Sequence, residues 1–100
     1  MPQLHVALLD GFFGDEVVVR IHGQEVFREP SVRTRMQISR AAEFEVDVPD
    51  GTAPVEIELP GRAARAEIAV PVADTPYLGI SLTRAGQLVH VLQPEPFHYA

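Results

Sequence analysis

The feature that most constrains the fold of this chain is a strict alternation of charged and apolar residues between Glu43 and Val70. Three short runs carry the pattern, at residues 43–48, 55–59 and 65–70. Successive side chains of a β-strand point to opposite faces of its sheet, so each run predicts a strand with one apolar and one charged face. The pattern favours one half-buried sheet whose acidic outer surface lies in water.

Short β-rich runs separated by turn residues recur along the rest of the chain, and helical periodicity is not seen over three turns. We predict strands near residues 3–9, 16–21, 24–28, 35–39, 43–48, 54–59, 64–70, 76–83 and 87–93. This spacing is typical of a β-sandwich or small barrel. We therefore expect an all-β fold, an antiparallel sandwich of seven to nine short strands. It would occupy residues 1–93 as one domain, followed by a proline-rich aromatic tail over residues 94–100.

Two turns predict strand registers. His22-Gly23 would close a tight hairpin that sets Arg20 against Glu25 and Val19 against Val26. Residues 83–86 would form a three-residue hairpin loop with Gly86 in the left-handed conformation.

In the acidic sheet, a hairpin about residues 49–54 would bring the carboxylates of neighbouring strands close together. It would place Asp47 near Glu56 and Glu45 near Glu58.

Residues 17–26 read as a strand, a glycine turn and a second strand, and residues 48–51 followed by 55–59 continue this pattern. The sequence of these residues resembles bacterial immunoglobulin-like and PEGA-type sandwich modules. The resemblance implies an immunoglobulin-like sandwich that acts as a noncatalytic interaction or spacer module.

Composition excludes several classes of function. The formal net charge is -6 and there is no cysteine. A negative chain is disfavoured for nonspecific binding to nucleic acid or to an anionic membrane, so we expect neither partner. Without cysteine there is no disulfide, thiol nucleophile or thiolate metal ligand. No segment approaches the ~20 apolar residues of a membrane-spanning helix, and the N-terminal residues lack a signal-peptide pattern. We expect a cytoplasmic protein, with a mature secreted form as the alternative.

Charge is unevenly distributed along the chain. Residues 20–40 are rich in arginine, whereas residues 41–60 carry acids and no base. The two segments would either neutralise each other within one sandwich or attract each other between subunits. The acidic face itself would be a solvated surface, a contact for a cationic partner, or a site for a hard cation such as calcium.

The loop at residues 10–15 places Phe12 and Phe13 between two glycines. The rings would either cap the open end of the core or form an exposed aromatic anchor for a partner.

The last predicted hairpin departs from simple alternation. Around Gly86, the apolar residues of strand 76–83 would face Leu88, His90 and Leu92, while Val89 and Val91 occupy the opposite side. A strand that is apolar on both faces lies either in a central position or at a subunit interface. We expect a homo-oligomer on this ground. The tail residues Phe97 and Tyr99 would dock across that interface or on their own subunit.

Histidines and serines give little indication of chemistry. His5, His22, His90 and His98 form no local metal-binding motif, and no serine has the sequence context of a nucleophile. The paired carboxylates are expected on a solvated face, where their acidity would not be perturbed. We predict no metal, no cofactor and no enzymatic activity.

The sequence thus favours a noncatalytic interaction or assembly module that self-associates or binds another protein. The alternative is a small ligand-binding or metal-binding domain that uses the acidic face or the scattered histidines. The predicted interaction residues are Phe12, Phe13, Leu88, Val89, His90, Val91, Leu92, Phe97 and Tyr99.

Overall fold

The computed structural model describes residues 2–33 and 42–97. Within these ranges the chain forms eight strands and a short 3₁₀ turn at Pro60–Arg62. The strands are β1 (Gln3–Leu8), β2 (Phe13–Ile21), β3 (Gln24–Arg33), β4 (Ala42–Asp47), β5 (Thr52–Leu59), β6 (Ala64–Pro71), β7 (Tyr77–Leu82) and β8 (Leu88–Gln93). None of the described elements is a helix long and apolar enough to cross a membrane. The all-β prediction is confirmed, while the strand predicted at 35–39 lies outside the described residues.

The strands form two four-stranded sheets that pack face to face as a sandwich. Sheet A has the order β4-β1-β7-β8, and sheet B has the order β3-β2-β5-β6. Every neighbouring pair is antiparallel except β1 and β7, which run parallel. A parallel pair needs a long crossover connection, and here the connection contains β4 and all of sheet B. The expected sandwich is confirmed, and the expectation of antiparallel pairing throughout is wrong at this one pair.

The core lies between the inner faces of the two sheets. Its largest members are fully buried leucine, isoleucine and phenylalanine side chains: Phe12, Leu4, Leu8, Ile57, Leu59, Leu78 and Ile80. Burying one such side chain contributes roughly 1.5–3 kcal/mol. The alternation seen in the sequence puts these residues inside, because one face of each strand turns toward the other sheet.

The two halves of the acidic stretch belong to different sheets. β4 pairs with β1, whereas β5 pairs with β2 and β6. Asp47 lies opposite Gln3, and Glu45 lies opposite His5. The predicted proximity of Asp47 to Glu56 and of Glu45 to Glu58 is therefore wrong. The chain crosses from sheet A to sheet B around the buried Val48 instead of closing a hairpin.

Both predicted tight turns are present, and one has an irregular strand beside it. His22 and Gly23 adopt φ values of 53° and 75°, which a primed hairpin turn requires. Arg20 lies opposite Glu25 as predicted, but an irregularity between Val19 and Arg20 places Val19 opposite Phe27 and not Val26.

In the second hairpin Gly86 has a φ of 83° and donates its N–H to the Thr83 carbonyl oxygen at 2.9 Å. This turn sets Leu82 opposite Leu88, Ile80 opposite His90 and Leu78 opposite Leu92, as the sequence predicted.

The two open sides of the sandwich differ. On the side of β3 and β4, the rings of Phe27 and Phe44 stack with centroids 4.6 Å apart. On the other side, β6 and β8 are the edge strands and contact each other. The aromatic stack covers the core on the side of β3 and β4.

Candidate interaction surface

Strand β8 is an edge strand of sheet A, paired only with β7 among the described strands. Its inward side chains Leu88 and Leu92 are half-buried and pack against the core. Its outward side chains Val89 and Val91 are 46% and 53% exposed. The strand is therefore apolar on both faces, but the chain covers only one of them.

This placement decides between the two positions predicted for the strand at residues 87–93, a central position in the sheet and a subunit interface. A central position is wrong, because β8 lies at the sheet edge with His90 exposed. A subunit interface stays a prediction.

The other sheet edges of the described residues are protected by charge or by proline, and β8 is not. Unpaired edges invite pairing with another chain, and proteins commonly block them with charged residues and prolines. The blocking residues are Glu25, Arg28, Glu29, Pro30 and Arg33 on β3, Glu43, Glu45 and Asp47 on β4, and Arg65, Glu67 and Pro71 on β6. β8 contains no acid, no lysine or arginine and no proline. It is the edge best suited to contact another chain.

The outer face of sheet A carries a shallow aromatic cleft of about 260 Å³, which is lined by β4, β1, the start of β7 and the tail and by no residue of β8. The rings of His5 and Tyr77 stack with centroids 4.5 Å apart, and His5 Nδ1 lies 3.3 Å from a carboxylate oxygen of Glu45. Phe97 also lines the cleft. The sequence did not indicate this group, because His5 and Tyr77 become neighbours only through the parallel pairing of β1 with β7.

The tail packs on its own subunit at Phe97, where Gly79 provides the space. A Cβ atom added at Gly79 would lie 2.7 Å from Phe97 Cζ and 2.9 Å from Leu9 Cδ1. A glycine inside an apolar strand often marks such a close approach, so this signal was present in the sequence. The tail was predicted to dock either across an interface or on its own subunit, and Phe97 docks on its own subunit. Tyr99 lies outside the described residues.

The two phenylalanines of the loop before β2 have different roles. Phe12 is fully buried in the core, whereas Phe13 is 60% exposed. The prediction of Phe12 as an interaction residue is wrong, because Gly11 lies against the Leu82 backbone and the Phe12 ring fills the core. Phe13 begins β2 in sheet B, so the structure places it on a different sheet from Val89 and Val91.

Two carboxylates of β5, Glu56 and Glu58, are paired with arginines of the same chain. Arg20 Nη1 donates hydrogen bonds to Glu56 at 2.8 Å and to Glu58 at 3.2 Å, and Arg65 also pairs with Glu56. The hydrogen bond from Arg20 outweighs burial and, with the charge of Arg65, lowers the pKa of Glu56. The same bonds raise the pKa of Arg20. Arg20 of the arginine-rich segment thus neutralises two residues of the acidic segment within one subunit, whereas Arg28 pairs with Glu16 and Glu25.

A second ion pair anchors the start of β2. Arg62 Nε donates to Asp15 Oδ1 at 2.5 Å, and the Phe13 backbone N–H donates to Asp15 Oδ2 at 3.0 Å. Burial would raise the pKa of Asp15, but these hydrogen bonds and the Arg62 charge together lower it. The contact connects the 3₁₀ turn to the beginning of β2.

A larger cleft, about 470 Å³, lies on sheet B and not beside β8. Its charged lining includes Arg20 and Glu56, which are already bonded to each other. A carboxylate with a lowered pKa is poorly suited to take up or release protons near neutral pH. Among residues 2–33 and 42–97, no three histidine or acidic side chains are placed to hold one metal ion.

Comparisons with protein-family models, curated proteins and solved structures found no match. The resemblance of residues 17–26 and 48–59 to immunoglobulin-like and PEGA-type modules therefore stays a prediction.

Proposed function

We propose that this chain is a noncatalytic assembly module that self-associates through sheet A, with β8 as the contact strand. The observation that supports this function is the exposure of Val89 and Val91 on an edge without charge or proline. Pairing of this edge with a second chain would shield part of both valine side chains from water and satisfy the backbone groups of the edge.

The size of this surface favours weak, reversible association. Burying a valine side chain contributes roughly 1.5–3 kcal/mol, whereas association costs an estimated ~4–15 kcal/mol of lost freedom. The surface that a six-residue strand with two exposed valines offers is smaller than the area that a standard stable interface buries. We expect a dissociation constant on the order of 1–100 μM.

Sedimentation velocity over a concentration series tests the proposal. From roughly 1 μM to 1 mM, a range that brackets the expected affinity, the weight-average mass should rise from monomer toward dimer. A protein that remains monomeric throughout this range would overturn self-association.

Two variants locate the surface. Val91→Asp should weaken self-association, because it places a charge in the proposed contact. Phe13→Asp changes a similarly exposed apolar residue of sheet B and should leave the mass distribution unchanged. The opposite pattern would assign the contact to the start of β2 and would contradict the proposed role of β8.

A further inference from the structure

The strand that forms the exposed edge is a sequence palindrome. Residues 87–93 read Gln87-Leu88-Val89-His90-Val91-Leu92-Gln93, the same in both directions about His90. Gly86, with a φ of 83°, ends the palindrome on one side, and Pro94 ends it on the other. We call residues 87–93 the β8 palindrome. In an antiparallel pair of two such strands centred on His90, each residue type would meet its own kind.

The backbone of β8 is in the correct phase for such a pair. Thr83 N–H donates to the Gln87 carbonyl oxygen at 2.8 Å, so these two residues form a hydrogen-bonded pair of the β7–β8 hairpin. Hydrogen-bonded and non-hydrogen-bonded pairs alternate along an antiparallel ladder. Val89, Val91 and Gln93 therefore direct their N–H and C=O groups toward β7. The corresponding groups of Leu88, His90 and Leu92 point outward, away from the sheet.

We propose that two copies of this chain join their β8 strands antiparallel across a two-fold axis at His90, which makes one continuous eight-stranded sheet from two copies of sheet A. This inference rests on the proposed self-association and specifies its surface, register and symmetry. His90 would face His90 of the second copy as a hydrogen-bonded pair with Cα atoms about 5.5 Å apart.

The side chains of the β8 palindrome fit a second copy on both faces of the joined sheet. Val89 would lie opposite Val91 of the second copy on the outer face, and Leu88 opposite Leu92 on the inner face. Apolar cross-strand pairs of this kind stabilise antiparallel sheets. Because β8 carries no acid, two chains of net charge -6 would meet at an edge without carboxylates.

A charge-exchange experiment at position 90 tests the register. His90→Glu and His90→Lys would each oppose like charges across the axis, so each variant alone should dimerise roughly tenfold or more weakly than the original chain. An equimolar mixture of the two would oppose unlike charges and should recover dimerisation. Sedimentation velocity at about 0.15 M salt, where distant charges are screened, measures all three samples.

Ser31→Glu and Ser31→Lys are the matched controls, because Ser31 is an exposed residue of β3, the edge strand of sheet B on the opposite side of the sandwich from β8. These variants and their mixture should dimerise like the original chain. Thermal unfolding of every variant checks that the fold is kept.

The outcomes distinguish this inference from the proposed function. Recovery in the mixture supports pairing of residue 90 with itself, since misfolded variants would not recover. Unchanged dimers in His90→Glu and His90→Lys, or dissociation without recovery, would overturn the two-fold pairing at His90 while leaving self-association standing. A monomeric original chain at about 1 mM would overturn both, because that concentration lies well above the expected dissociation constant.

Discussion

Gly11 is a single residue on which the burial of Phe12 depends. Its φ is 93°, and a Cβ atom there would lie 1.9 Å from the Leu82 carbonyl oxygen. We expect Gly11→Ala to lower the free energy of unfolding by about 3 kcal/mol or more, since it adds backbone strain to a collision with β7. Urea denaturation measures this loss.

Gly23 is the matched control for Gly11. Its φ is 75°, but nothing lies within 4 Å of an added Cβ atom. Gly23→Ala should therefore lower the free energy of unfolding only by the strain of the left-handed backbone, about 1–2 kcal/mol. Equal losses for the two variants would show that the close approach of the loop to Leu82 is unimportant.

At the same scale, Gly79 and Phe97 should be energetically coupled. Gly79→Ala should destabilise the fold by about 1–3 kcal/mol, because the new methyl group displaces the Phe97 ring and presses on Leu9. In a Phe97→Ala background the same substitution should cost less, since its main collision is gone. A double-mutant cycle by urea denaturation measures the coupling. Strictly additive losses would contradict the packing of Phe97 against Gly79.

At the scale of strands, the ion pairs of Arg20 join β2 to β5 and give a pH-dependent contribution to stability. The hydrogen bond from Arg20 lowers the pKa of Glu56 in the folded chain. The folded state then binds fewer protons than the unfolded state near that pKa. The contribution is complete above the usual glutamate pKa of about 4.3 and is lost as the pH falls through the lower folded value.

Arg20→Gln should therefore reduce the unfolding free energy at about pH 7, and its difference from the original chain should shrink below about pH 4. Arg84→Gln is the control, because Arg84 lies exposed in the β7–β8 turn with no ion pair to the residues described. A difference that persists unchanged at about pH 3, where free carboxylates are protonated, would show that Arg20 acts by packing and not through its ion pairs.

The strands also show which parts of the fold are readable from sequence. Period-two alternation predicts the inner faces of β5 and β6 because each residue's face depends only on its own strand. Gly86 predicts the register of β7 with β8 because a short loop fixes it. Sheet membership is different: β4 alternates like β5, yet it pairs with β1, whose partners are set by the packing of the whole core.

The candidate surface, too, could be predicted from the sequence only in part. The apolar character of Val89 and Val91 was readable, whereas the edge position of β8 depends on which strand joins β7 from the other side. That strand is β1, about 70 residues earlier in the chain, and no local pattern indicates such a pairing. The burial of Phe12 was likewise beyond the sequence, because two neighbouring phenylalanines in a glycine loop look alike until the core is assembled.

At the scale of the whole molecule, the central position of β1 in sheet A has a consequence for the order of folding. β1 lies between β4 and β7, so its two neighbours come from the middle of the chain and from near its end. During synthesis from the N-terminus, sheet B can assemble once β6 is available, but β1 lacks its second neighbour until residue 82 has emerged. Contacts this distant in sequence are typical of proteins that fold in milliseconds to seconds. Sheet A, which carries the β8 palindrome, is therefore expected to be the last part of the sandwich to form.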